Sequence, residues 1–229
     1  FGAINVFLFS LLLSQLKKLI KNKISNKDII LLTLFFAFGT VNFAVSVVGR
    51  VWFTSQVISL TFHLLSLIFL LNFWSSKKLS SFSLSIGFLL TATAGRLSYI
   101  LILPMYLYSL FKLELTAKKI IRGLLSSFLL ITALASIYGF YNRKRFSRIS
   151  EIGYNYQQEN PRFSYLKNKY GRYHFHYLLT NIKYQLLNPL KFKNKFPFIN
   201  PDLKGNGLFI TSPLFLLLFW NVKKLLKRE

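Results

Sequence analysis

Apolar residues run in long blocks along this chain, and polar ones gather in the gaps between them. Seven apolar segments stand out, at about 1–16, 28–48, 51–74, 79–95, 97–111, 119–140 and 205–222, each bounded by charge or by Gly and Ser. Most approach the roughly 20 residues that an α-helix needs to cross a hydrocarbon layer of about 30 Å. The third is framed by Trp52 and Trp74, placed as the two interfacial belts of one crossing would be. The fourth is rich in Ser and Thr. The pattern therefore predicts an all-α, polytopic transmembrane helical bundle of about seven spans. Its domains are a transmembrane bundle over 1–140, an extracytoplasmic basic and aromatic segment over 141–204, and a final helix with a cytoplasmic tail over 205–229.

Composition supports a membrane class over a soluble one. Of the 229 residues 53% are hydrophobic and 17% aromatic, with 25 Phe. The formal charge of +24 would suggest nucleic acid in a soluble chain. Here the cations sit in short clusters between apolar runs, as cytoplasmic loops and anionic headgroups place them, so no nucleic-acid partner is expected. The clusters at 17–27, 75–78, 112–119 and 223–229 fall on one side if every segment spans, and that side is expected to be cytoplasmic. The region 141–204, with 13 basic and 3 acidic residues, then faces outward. Its apolar and aromatic positions predict short amphipathic helices, with an extended piece around "RYHFHY". The start at Phe1, with no basic n-region ahead of the first apolar run, reads as a piece of a longer chain.

Candidate chemistry concentrates on the outer side. Arg50 and Arg96 lie at the outer ends of spans. An arginine there either snorkels to the headgroups or joins an anion site, for which its planar, permanently charged fork is suited. Gln56, about a helical turn inside Arg50, is expected to point into the bundle. Arg145, Arg148, Tyr154, Tyr156, Gln157, Arg172 and His174 add cations, aromatic faces and hydrogen-bonding groups in the outer segment. His174 and His176 would share a face if extended, but with no Cys and few outer carboxylates they read as hydrogen-bonding residues; neither a metal nor a cofactor is called for. His63 reads as a helix-packing residue. The outward carboxylates are Glu151, Glu159 and Asp202, of which Glu151 and Asp202 are the supporting catalytic candidates, each equally a salt-bridge partner. No P-loop, GxGxxG, GxSxG or HExxH motif is present.

The order "GRVWFTSQVISLTFHLLSLIFLL", a Ser-rich span, "GRLSYILILPMYLY", "YNRKRFSRISEIGYNYQ" and "FPFINPDLKGNGLFITSPLFLLL" resembles bacterial C-type membrane glycosyltransferases, in particular the dolichyl-phosphate-mannose protein mannosyltransferase-like and lipid A-core-modifying groups. The resemblance runs from about residue 40 onward. It implies a chain in the bacterial cytoplasmic (inner) membrane that moves a sugar from a polyprenyl-phosphate carrier to a lipid, glycan or protein acceptor at the outer face. It also implies that the catalytic acid lies in a first outer loop upstream of residue 1. An alternative is a transporter, flippase or noncatalytic subunit handling an anionic lipid, which would use the same basic mouth without a base and would show broken spans or repeats.

Overall fold

The structure, a computed structural model, describes residues 1–21, 24–113, 115–151, 153, 156, 161–171, 174–196, 198–200, 202, 205–216 and 219. The chain forms two compact units, Phe1–Asn155 and Tyr156–Glu229.

The first unit is helical: α1 (Gly2–Leu19), α2 (Asn26–Phe38), α3 (Val41–Val47), α4 (Val51–Ser76), α5 (Leu79–Gly95), a 3-10 turn (Leu97–Ile102) leading into α6 (Leu103–Lys112), and α7 (Ala117–Phe146). Local chemistry sets the ends. Ser25 and Asp28 form a reciprocal capping box that starts α2. Pro104 stands in the first turn of α6, where its missing N–H costs nothing. Lys77 and Ser147 close α4 and α7 in the left-handed conformation.

Contacts between helices fix their directions. Asn5 donates to the Val57 carbonyl and accepts from the Thr61 hydroxyl, while Leu8 clusters with Leu64 and Ile68, so α1 runs parallel to α4. Ser55 reaches the Gly95 carbonyl and Ser66 the Ser85 carbonyl, so α5 returns antiparallel. Ser83 with Ser126, and Tyr138 with the Ala94 carbonyl, set α7 parallel to α5. The core lies around α5, where Phe82, Ile86 and Leu89 are fully buried beside Phe73, Tyr106 and Leu110. Small hydroxyl residues at these contacts let helices approach closely and bond across the gap, as expected where the surroundings offer no water.

Three helices, α1, α4 and α7, are long and apolar enough to cross a membrane, and α2 with α3 makes a fourth if the bent pair is one span. Exposed apolar residues such as Leu31, Ile121 and Phe128 are compatible with an integral membrane protein. The expected segment 28–48 is broken by 48° between α2 and α3. Thr40 causes this locally: its hydroxyl donates to the Phe36 carbonyl and accepts from the Asn42 N–H, competing with the helical ladder. The segments 79–95 and 97–111 appear as shorter helices; α5, at 17 residues, rises only about 25 Å. α7 continues past residue 140, and the compact units divide after Asn155.

The second unit contains α8 (Pro161–Tyr170), a 3-10 turn (Phe175–Tyr177), α9 (Leu178–Leu187), a short antiparallel pair β1 (Lys191–Phe192) and β2 (Ile199–Asn200), α10 (Leu208–Thr211) and a 3-10 turn (Pro213–Leu216). Short helices occur as expected, but Phe175–Tyr177 is a 3-10 turn and not extended, because the His174 ring caps it by accepting from the His176 N–H. The expected span 205–222 is not one continuous helix among the described residues. α10 stops at Ser212, ahead of Pro213, whose ring disfavours helical geometry in the residue before it.

A candidate anion site at the arginine end of the helical unit

The antiparallel packing gathers the start of α4, the end of α5 and the end of α7 at one end of the first unit. α5 stops at Gly95, and its last carbonyls lack intrahelical partners. Two neighbours supply them: the Tyr138 hydroxyl donates to the Ala94 carbonyl at 2.6 Å and the Ser55 hydroxyl to the Gly95 carbonyl at 2.9 Å. Gly95 is needed here because a Cβ would collide with the Ser59 hydroxyl.

Arg96 follows in extended geometry, φ −145° and ψ 104°, as the chain turns into the 3-10 segment. Its Nη2 donates to the Trp52 carbonyl at 2.7 Å, and its Cζ stands 5.5 Å from the Trp52 ring centroid. The Nε is buried without a hydrogen-bond partner. A snorkelling arginine would extend into water; this one is pinned against α4. Three residues on, the Tyr99 ring packs on His63 at 4.7 Å, so His63 is a packing residue of the bundle interior as expected.

The last turn of α7 adds Arg143, Lys144 and Arg145. Arg145 donates to the Tyr141 hydroxyl at 3.1 Å and lies over the rings of Tyr141 and Phe146, at 5.9 and 5.0 Å. Beyond the cap the chain folds back: the Asn142 amide donates to the Ile149 carbonyl, and Glu151, buried, accepts the Gly153 N–H on Oε1 at 2.8 Å. Glu151 is thus held in the loop that ends the unit, with a carboxylate oxygen committed to the backbone. Arg50 and Arg148 are exposed at this same end.

Of the residues singled out in the sequence, Arg50, Arg96, Arg145, Arg148 and Glu151 come together at this end. Gln56 does not point into the bundle: it is exposed, because Ser55, Val57 and Ser59 form the inward face of α4. Tyr156, exposed, belongs to the second unit, as do His174, which caps the 3-10 turn, and Asp202, which forms an ion pair with Lys191 at 2.8 Å. That pair ties Asp202 to the strand hairpin and, hydrogen-bonded to Lys191, holds the lysine pKa above its ordinary value. Tyr154, Gln157 and Arg172 lie outside the described residues. Sequence reasoning missed Tyr138 and Tyr141 and read Trp52 only as a belt. The i, i+4 spacing of Tyr141 and Arg145 on one helix was the available signal.

A groove of about 730 Å³ runs along the outside of α5 and α7. Leu84, Phe88, Leu130, Ala133 and Ile137 are among its lining residues, and Thr91 and Ser126 contribute two of its few polar groups. From Ser83 to Thr91 it is about 12 Å long on helical rise. The Ser83–Ser126 bond lies at one end, and the Tyr138–Ala94 bond lies just beyond the other, toward the arginines. The first unit thus carries an apolar slot between α5 and α7 and, beyond its Thr91–Ile137 end, a group of arginines of which two, Arg96 and Arg145, are held by aromatic rings.

No family model, curated protein sequence or solved structure matches this chain.

Proposed function

We propose that the chain is part of an integral membrane glycosyltransferase that takes a sugar from a polyprenyl-phosphate donor at the outer face of the bacterial inner membrane and passes it to a lipid, glycan or protein acceptor. The carrying observation is the apolar α5–α7 groove, whose Thr91–Ile137 end lies toward the end of the helices that carries the arginines. An isoprenoid chain lies in such a groove parallel to the helices, and its phosphate then meets Arg96, Arg145 and their neighbours. Fixed guanidinium charge binds the phosphate oxygens and stabilises the negative charge that grows as the carrier phosphate leaves. In this reading the seven apolar segments cross or enter the membrane, residues 141–204 face outward, and the tail after the last segment is cytoplasmic.

Binding of a long-chain polyprenyl phosphate to the purified chain in detergent, followed by Trp52 fluorescence or native mass spectrometry, tests this. Arg96→Ala is expected to weaken binding about tenfold, or ~1.4 kcal/mol, and Lys78→Ala at the opposite end to leave it unchanged. Ala133→Trp, which fills the groove at an exposed position, should weaken the long-chain ligand and spare a short alkyl phosphate. Equal losses in Arg96→Ala and Lys78→Ala would reduce the site to a general charge effect.

The bend between α2 and α3 favours a second reading, a transporter or flippase for an anionic lipid. A broken helix exposes backbone groups, and the buried Oδ1 of Asn42 beside the break has no partner. Movement of a labelled polyprenyl phosphate between leaflets of vesicles containing the chain, with no transfer of sugar, would select it.

A further inference from the structure

The second unit carries an apolar surface that the arginine end does not use. β1 and β2 pair Lys191 with Asn200 and Phe192 with Ile199. The Lys193 N–H donates to the Phe198 carbonyl at 2.7 Å, and the Phe198 N–H donates to the Lys195 carbonyl at 2.9 Å, which closes the loop. This small hairpin turns its phenylalanines outward: Phe192, Phe196 and Phe198 are 76%, 85% and 56% exposed. Phe196 and Phe198 stand edge to face with centroids 6.0 Å apart. Phe198 has φ 63°, in the left-handed region that a bulky side chain rarely occupies. Strain of that kind persists where the surroundings over-determine it, and it clusters at functional positions.

Three phenylalanines exposed to water oppose the hydrophobic effect, and a covering surface would relieve that cost. The charges between them say which. Lys193 and Lys195 are exposed and take part in no ion pair among the described residues, while Lys191 is engaged by Asp202. Alternating aromatic rings and unpaired lysines match the boundary of a bilayer, where rings enter the acyl edge and ammonium groups meet lipid phosphates. The apolar helices that precede this unit in the chain would hold the tip at a membrane, so weak contacts suffice.

We infer that the 191–199 hairpin is an interfacial anchor, with Phe192, Phe196 and Phe198 in the headgroup–acyl boundary and Lys193 and Lys195 on anionic lipid headgroups. The inference holds whether or not the arginine end binds a polyprenyl phosphate, and its test is separate. The chain has no Cys, so Phe196→Cys in the full chain carries a single nitroxide label. In vesicles containing phosphatidylglycerol, the label is expected to collide with oxygen in preference to a water-soluble nickel chelate. Chelate access should be several-fold below that of the same protein in lipid-free detergent-exchanged polymer. Adding Lys193→Gln and Lys195→Gln, or using purely zwitterionic vesicles, should return the label toward water. Phe196→Trp gives an independent readout: blue-shifted emission, after subtraction of the parent chain, quenched by lipids brominated high on the acyl chain. Free chelate access in anionic vesicles overturns the anchor. So does dipolar broadening between labels, which would place a second copy on the tip.

Discussion

At one end of the helical unit the described cations are Lys17, Lys18, Lys21, Lys27, Lys77, Lys78, Lys112, Lys118 and Lys119 with Arg122; at the other they are Arg50, Arg96, Arg143, Arg145 and Arg148 with Lys144. The sign of charge is the same, and the chemistry differs. On the lysine end the side chains reach outward, with Lys17 donating to Asn26 as a local helix-linking contact. On the arginine end Arg96 and Arg145 are fixed by a carbonyl, a phenol and three rings. A hydrated ammonium suits a loop that only has to stay on one side of a membrane, whereas a planar fork stacked on rings is ordered before any ligand arrives. Less freedom is then lost on binding an oxyanion.

The largest expected effect on this contrast comes from Arg96. Arg96→Ala removes a hydrogen bond from a charged group and a cation–π contact, and should destabilise the chain by about 2 kcal/mol. Chemical unfolding in detergent, read by circular dichroism, measures it. Arg96→Lys keeps the charge without the fork and should recover less than half of the loss. Lys78→Ala should stay within about 0.5 kcal/mol. Full recovery by lysine would erase the distinction between the two ends.

Next in size is the close approach that creates the arginine end. Gly95→Ala drives a methyl into the Ser59 hydroxyl, which is itself buried at 1% exposure, and should cost about 1–2 kcal/mol as overpacking. Ser59→Ala should relieve part of that cost in the double variant, so a double-mutant cycle should show coupling of about 0.5 kcal/mol or more. Strict additivity would mean that the helices shift apart as a whole.

These tests also mark what could be read in the sequence. Several of the apolar blocks correspond to helices because length and hydrophobicity are local properties: 51–74 became α4 almost residue for residue, whereas 28–48 is bent and 205–222 is interrupted ahead of Pro213. Counting apolar blocks puts Arg50, Arg96, Arg145 and Arg148 on one side as an expectation, and helix contacts place them at one end of the helical unit. The bend at Thr40 was not legible, because it depends on a hydroxyl choosing a carbonyl one turn back. Nor was the outward face of Gln56, which depends on the azimuth of α4 against α5 and not on depth. The partners of Arg96 are 44 residues away in sequence, and pairing of that range appears only once helices pack. The hairpin that exposes Phe192, Phe196 and Phe198 was not legible either: the sequence pattern leads to short amphipathic helices in this region, and the strand pairing of 191–192 with 199–200 depends on contacts between separate residues.

The smallest expected effect is the most discriminating between structure and site. α7 is tied to α5 by Ser83–Ser126 toward the lysine end and by Tyr138–Ala94 toward the arginine end. Tyr138→Phe leaves the Ala94 carbonyl without its donor, and Ser126→Ala leaves Ser83 without its partner. Interhelical bonds of this kind in membranes are worth about 0.6 kcal/mol on average, so both variants should lose roughly that much stability. Their effects on ligand should part. Tyr138 lies between the groove and the arginines, and freeing the end of α7 loosens Arg143 and Arg145 together. Polyprenyl phosphate affinity should therefore fall about threefold in Tyr138→Phe, or ~0.65 kcal/mol, and clearly less in Ser126→Ala, which touches only the far end of the groove. A matched fall in both variants would mean that the ligand reads only the packing of α7 against α5. A fall confined to Tyr138→Phe ties the phosphate to the arginine end.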